Sequence, residues 1–301
     1  MKKKSFCRLL RLIPLPLLAA PLFFASCSSD DSMTPIDEVK TPQRPISVEV
    51  SETPFGNTTE ARQLTRAAIT DLTSFSAFTM TANTNDKYEV TKNSSGSWTV
   101  NGSWPGVENN TYVTFYAYSN GTYYNSGTPY INFTVEENAA TQHDLLVATN
   151  TVSYNDHQGK VPLTFDHACA ALAFNVFMTN KLSTNLASKT LTVSSIVLRN
   201  VSKTGNYYFG TAAWGDVSNT TFYTLNNSTM TITTTPQALS SNYLFVIPQS
   251  HEANGTTGTY LDITYAFTGQ TQTTATIPLA VDWEAGSKYT INIKLGTTLI
   301  K

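Results

Sequence analysis

From about residue 45 onward, apolar and polar positions alternate in short runs and do not recur every three or four residues. Ile46-Ser47-Val48-Glu49-Val50 is the first such run, with the period of two that marks a half-buried strand. Residues 75–80, 112–118, 131–135 and 145–148 continue the series. In 112–118, Val113, Phe115 and Ala117 share one face, while Thr114, Tyr116 and Tyr118 share the other. Runs at 161–165, 172–177, 191–198, 207–209, 230–232, 243–247, 260–267 and 289–295 follow. Turn-prone pairs punctuate them. Asn101-Gly102, between Trp98-Thr99-Val100 and Ser103-Trp104, predicts a hairpin, and Asn120-Gly121 predicts a turn after Tyr118. No long stretch carries a clean helical period. Short strands at regular spacing predict an all-β chain of β-sandwiches. The polar stretch Asn155-Asp156-His157-Gln158-Gly159 marks the expected boundary between sandwich domains at 67–158 and 159–301, each long enough for its own core. Residues 45–66 precede them as a short strand and an exposed loop that carries Arg62 and Arg66.

The N-terminus has a different pattern. Lys2, Lys3, Lys4, Arg8 and Arg11 form a basic region, and residues 9–25 are largely apolar without an acidic residue. Pro14, Pro16 and Pro21 oppose a stable membrane-spanning helix. Small residues then lead to a cysteine. Residues 1–26 therefore read as a signal peptide removed from the mature protein. Phe24-Ala25-Ser26-Cys27 resembles the lipobox of bacterial lipoproteins, with cleavage after Ser26 and lipid on the Cys27 sulfur. An ordinary secretory signal cut near Ala20 or Ala25 is the alternative. Acyl chains contribute about 0.8 kcal/mol per buried methylene, so a triacylated Cys27 holds firmly to a membrane. Residues 27–44, rich in proline and acids, read as a flexible tether.

Charge and cysteine content narrow the function. The chain has 19 basic and 21 acidic residues. Five of the basic ones and none of the acidic ones lie in the signal, which leaves a net charge of −7. Nucleic acid is not an expected partner, because phosphate binding needs a basic face. Once Cys7 leaves with the signal and Cys27 is lipidated, Cys169 is the only thiol left. One thiol makes no internal disulfide. Its alanine-rich surroundings predict a buried, inert side chain.

Catalytic patterns do not emerge. His143, His157, His167 and His251 lack zinc spacing. Asp166-His167 with Cys169 lacks a Gly-rich oxyanion loop and reads as structural. No metal, cofactor or enzymatic activity is expected. Tyr116, Tyr118, Tyr123 and Tyr124 crowd around the Asn120-Gly121 turn, as cross-strand packing or as contacts for a glycan or protein ligand.

Several segments, taken in order, resemble the fimbrillin family, the pilins of type V pili on Gram-negative bacteria. They are Leu64-Thr65-Arg66-Ala67, Asp144-Leu145-Leu146-Val147-Ala148 and Val161-Pro162-Leu163-Thr164-Phe165-Asp166-His167-Ala168. Phe245-Val246-Ile247-Pro248-Gln249 and Trp283-Glu284-Ala285-Gly286-Ser287-Lys288-Tyr289-Thr290-Ile291 complete the set. The resemblance implies two tandem transthyretin-like sandwiches and export as a lipoprotein to the outer membrane and then a surface fimbrium. It also implies that an Arg-specific surface protease cuts at Arg66 or Arg62 and removes the first strand, with Ile46, Val48 and Val50. A strand from another pilin subunit then fills the groove. The C-terminal strand with Ile291, Ile293 and Leu295, or the tail at 297–300, is the candidate donor. The chain reads as a structural or adhesive pilus subunit. The alternative is a surface lipoprotein that binds glycan or protein and never polymerises.

Overall fold

The computed structural model describes residues 43–57, 72–80, 86–125, 127–186, 189–250, 258–279 and 282–297. The expected signal peptide, Ser26, Cys27, most of the expected tether, Arg62 and Arg66 lie outside the described residues, as does the tail beyond Thr297. The described residues form nineteen strands and two short helices. They are β1 (Ser47–Glu52), β2 (Gly56–Asn57), β3 (Ser74–Thr79), β4 (Lys87–Lys92), β5 (Trp98–Asn101), β6 (Val113–Tyr118), β7 (Thr122–Asn125), β8 (Pro129–Thr134) and β9 (Leu146–Val152). After α1 (Tyr154–His157) come β10 (Lys160–His167), β11 (Ala170–Met178), α2 (Asn180–Leu186), β12 (Leu191–Tyr208) and β13 (Ala213–Asn226). The last are β14 (Met230–Thr231), β15 (Gln237–Ala238), β16 (Leu244–Val246), β17 (Tyr260–Phe267), β18 (Thr273–Pro278) and β19 (Ser287–Leu295). The all-β expectation is borne out.

Three sheets result. The first has the order β1-β10-β9-β6-β3-β4-β5. Its two end strands, β1 and β5, come against each other, so the sheet curls around its own core. Alternation explains that core: β10 turns Val161, Leu163 and Phe165 inward, where they meet Phe75, Val90, Val113 and Phe115. A second core lies between the other two sheets. One has the order β15-β11-β19-β2, with β16 also on β11. The other has the order β18-β17-β12-β8-β7, with β13 and β14 also on β12. Leu172, Val176, Ile196, Leu198, Ile263, Ile293 and Leu295 are among the side chains they enclose.

The chain does not fill these cores strictly in order. β7 and β8 precede β9 yet join the third sheet, because Ile131 and Phe133 belong to the second core. The crossing uses the expected turn at Asn120-Gly121. Gly121 has φ of 96°, and a Cβ there would stand 2.5 Å from Ile131 Cγ2 and 2.8 Å from the Asn132 oxygen. Only glycine fits both constraints. Asn155–Gly159, the expected boundary, carries α1 and links β9 to β10, antiparallel neighbours in one sheet. Ser153 caps α1 by accepting the Asp156 N–H, which closes the connection tightly.

One sequence expectation is corrected. Asn101-Gly102 does not close a hairpin. The hairpin partner of β5 is β4, and Asn93 organises their turn by accepting from the Ser95 and Ser97 N–H groups. Burial of Trp104 overrides the turn dipeptide. Its ring packs on Phe115 and Tyr154 inside the first core, and the Trp104 backbone N–H donates to the Arg44 carbonyl at 2.9 Å.

Candidate functional site

Residues 43–57 form one continuous segment that touches both cores. Its entry is anchored by Arg44, at the end of the expected tether. The Arg44 guanidinium donates to the Pro105 and Val107 carbonyls at 2.5 Å each, and to the Asn109 side chain. It also lies over the Tyr154 ring, 5.1 Å from its centre. Gly159 admits the segment closely, since a Cβ there would come within 2.4 Å of the Pro45 oxygen. The Ser47 N–H then donates to the Gly159 carbonyl at 2.9 Å.

β1 next runs parallel to β10, in register from Ser47 opposite Lys160 to Glu52 opposite Phe165. It is an end strand with a ladder on one side only. Ile46, Val48 and Val50 half-bury against the first core, while the alternate residues face out. Thr53 extends the ladder by donating to the Phe165 carbonyl. The segment then crosses to the second sheet. The Gly56 N–H donates to the Gly286 carbonyl at 2.7 Å, and β2 runs parallel to the start of β19.

A buried polar cluster pins the crossing. His167, the last residue of β10, has its Nδ1 2.5 Å from Asp144 Oδ2 and its Nε2 2.7 Å from Glu52 Oε1. The second approach is an ion-pair distance that lies off hydrogen-bond alignment. Asp144 also accepts the Cys169 N–H at 3.3 Å. Burial raises the Asp144 carboxyl above its ordinary range, while its bonds to His167 and Cys169 pull it down. Phe55 stacks on the His167 ring with centroids 3.6 Å apart, and the Lys288 ammonium lies 5.8 Å from the Phe55 ring centre. A cavity of about 340 Å³ adjoins the cluster, lined in part by Leu72, Ser119, Gln142 and Phe245.

The structure brings together some expected residues and separates others. Ile46, Val48 and Val50 do share one strand face. Ile293 and Leu295 are buried in the second core, and Ile291 packs against it. All three sit on β19, which pairs with β11 over eight residues and with β2 on its other side. The four tyrosines divide. Tyr118 is buried, and Tyr116 and Tyr123 pack on Phe78 at 5.1 and 4.0 Å. Tyr124 alone among them is exposed. Glu52, Asp144 and Phe55 went unnoticed as site residues. Asp144 begins one quoted motif and His167 lies inside another, but nothing in their sequence spacing joins them. Burial pushes the Cys169 thiol well above its ordinary value, as its apolar surroundings predicted. Among the described residues, no group of three or more His, Cys, Asp or Glu is placed to hold a metal ion. No helix among them is long and apolar enough to cross a membrane.

Comparison with known proteins agrees with this architecture. The sequence model of the family described as Fimbrillin-like matches residues 57–301. No curated protein matches the chain. Among solved structures, a fimbrial protein from Bacteroides vulgatus superposes with a TM-score of 0.57 at 18% identity, over 84% of this chain and 95% of that one. A candidate cell adhesion protein from Parabacteroides distasonis gives 0.53 at 10% identity, over 84% and 89% of the two chains. One from Bacteroides eggerthii gives 0.51 at 16% identity, over 85% and 87%. At these identities the likeness is one of fold.

Proposed function

The chain belongs to the fimbrillin-like family, and from that membership we propose that it is a structural or adhesive subunit of a cell-surface fimbrium. It is made as a lipoprotein precursor acylated on Cys27. An Arg-specific protease cuts after Arg66 or Arg62 at the surface, and the segment ahead of the cut gives way to a strand from another subunit. The family is structural and non-enzymatic, so the work of the site is exchange of partners.

The observation that carries this reading is the placement of residues 43–57. They form an end strand, paired along one side, whose covalent link onward to β3 runs through the stretch that holds both arginines. After a cut there, only non-covalent contacts hold the segment. Its loss uncovers the N–H and C=O groups of β10, which are costly to leave unpaired. A replacing strand restores that ladder and the apolar cover together. β19, the candidate donor, pairs with β11 over eight residues and buries Ile293 and Leu295, which favours a subunit that accepts a strand over one that gives β19 away.

Mass-spectrometric mapping of the N-terminus of protein taken from cells tests the proposal. The expected mature protein begins at Ala67 or Gln63 and runs as oligomers that resist mild denaturation. A surface protein that still begins at lipidated Cys27, with normal fimbriae in an Arg62→Ala/Arg66→Ala strain, overturns it.

A further inference from the structure

The outer face of the third sheet carries an ordered polar and aromatic array that neither core requires. β7, β8 and β12 lie side by side, and the register sets Tyr124 opposite Tyr130 and Tyr130 opposite Tyr208. These three form one row. The next row is Thr122, Asn132 and Asn206, followed by Thr134 and Thr204. The alternate residues Ile131, Phe133 and Tyr207 point the other way and are buried, so strand alternation fixes which face is outside.

The rows are locked together. Tyr124 stacks on Tyr130 with centroids 5.2 Å apart at 14°, and Tyr130 meets Tyr208 at 5.3 Å. The Asn132 amide donates to Asn206 Oδ1 at 2.8 Å, and Asn206 donates to Asp216 Oδ2 at 3.0 Å. The Tyr208 hydroxyl donates to the same Asp216 oxygen at 2.7 Å. These bonds hold the Asp216 carboxyl below its usual range. Asp216 has φ of 51°, a left-handed conformation at the irregular pairing of β12 with β13, and this turns its carboxylate back over the sheet. Each of these bonds uses one side of its group. Asn132 Oδ1 and Asp216 Oδ1 remain as acceptors.

Beside these rows lies a recess of about 320 Å³, walled by Asn120, Thr122, Asn132, Thr134, Glu136 and His143. That is the low end of the size range of small-molecule sites. Its lining is mostly hydroxyl, amide, carboxylate and imidazole, with Gly121 and Phe133 completing it and no lysine or arginine. The nearest lysine on β12, Lys203, is held by Glu137 at 2.6 Å. An anionic ligand would meet Glu136 in the recess, and Asp216 beside it, without a lysine or arginine in the lining to compensate. A ligand rich in hydroxyl donors and free of charge suits both carboxylates, and its C–H faces suit an aromatic edge such as Tyr124, which is 46% exposed.

We propose that this recess, with the Tyr124–Tyr130–Tyr208 row at its side, is a binding site for a neutral glycan. Asn132 and Asp216 take its hydroxyl donors, and Tyr124 packs against a sugar face. The site makes no use of residues 43–57 and stands whether or not the chain polymerises.

The test uses the full mature chain against a panel of neutral oligosaccharides that ends in mannose, galactose, fucose or N-acetylglucosamine, with sialyllactose as the anionic counterpart. Array binding is followed by titration calorimetry of the strongest hit. Tyr124→Ala and Asp216→Asn are surface changes, and asparagine tolerates the left-handed conformation at 216. Each should weaken the neutral ligand about tenfold, as loss of a charge-assisted bond or a stacked ring does. Tyr112→Ala, an exposed tyrosine outside the array, should leave it unchanged. Circular dichroism confirms that each variant is folded. Three results would overturn the proposal: no neutral sugar bound at millimolar concentration, equal binding of sialyllactose, or binding that both array variants leave intact. Capture of a protein ligand by this face, undisturbed by any sugar, would overturn it as well.

Discussion

The Glu52–His167 contact offers a quantitative test of how the N-terminal segment is held. Glu52→Gln keeps the size of the side chain and removes its charge. A hydrogen bond to a charged group nets about 1.5–3 kcal/mol. The Glu52 side chain retains 16% of its exposure and approaches Nε2 off alignment, which sets the expected loss lower. We expect about 1–2 kcal/mol, or a fall of about 2–8 °C in the unfolding midpoint of a body this size. Thermal unfolding of the full chain by circular dichroism reads it. A double-mutant cycle with His167→Asn should return a coupling of about 1 kcal/mol. The loss should persist in 0.5 M salt, because a largely buried pair is little screened. The exposed Lys87–Glu89 pair is the contrast, and Glu89→Gln should change little. A midpoint shift below about 1 °C, or a coupling below about 0.3 kcal/mol, refutes the idea that this contact holds the segment.

Other consequences follow from the same geometry. Cys169 is fully buried with a raised thiol value, so iodoacetamide should leave Cys169 of the native chain unlabelled and modify it only on unfolding, as peptide mass mapping will show. Gly121→Ala adds a Cβ against Ile131 and the Asn132 carbonyl at positive φ, and should cost about 2–4 kcal/mol in denaturant unfolding. The Asp144 carboxyl has a folded value above its ordinary 3.8 because of burial. The folded chain therefore keeps that proton to higher pH than the unfolded chain. Its stabilising effect is complete below the ordinary value and declines as pH rises from 3.8 through the raised one. Asp144→Asn should flatten that decline in a stability-against-pH series, and an unchanged slope would contradict it.

Much of the fold was legible because it rests on period-two alternation. β1, β6, β8, β10 and β17 show it plainly, and each buries the face that its apolar residues predict. What failed to show depends on contacts distant in sequence. Asn101-Gly102 has the local chemistry of a hairpin, but Trp104 gains more by entering the core beside Phe115 than a two-residue turn offers. The tyrosines at the Asn120-Gly121 turn look alike in sequence. The chain passes from one sheet to another at that turn, so their neighbours could not be read from position alone. Tyr118 goes to the interior, and Tyr124 joins Tyr130 and Tyr208 outside. The polar cluster was hidden for the same reason: Glu52, Asp144 and His167 lie far apart along the chain, and only the parallel pairing of β1 with β10 and the antiparallel pairing of β9 with β10 bring them together.

Burial also separates strands that can leave from strands that cannot. No residue of β1 is fully buried: its pattern alternates exposed and half-buried, and the closed part of the first core comes from β3, β4, β6, β9 and β10. A fully buried Val or Ile stabilises by about 1.5–3 kcal/mol, and the half-buried Ile46, Val48 and Val50 contribute correspondingly less each. β19 differs. It buries Ile293 and Leu295 and pairs with β11 over eight residues, so its departure would open the second core. Removing β1 leaves the packed interior of the first sheet in place and uncovers one ladder edge. What holds β1 is its ladder to β10, with Arg44 at the entry and Glu52 and Phe55 at the crossing as the side-chain ties. An edge strand held by one ladder and tied at its two ends can leave without opening the core behind it, whereas a strand woven into a core cannot.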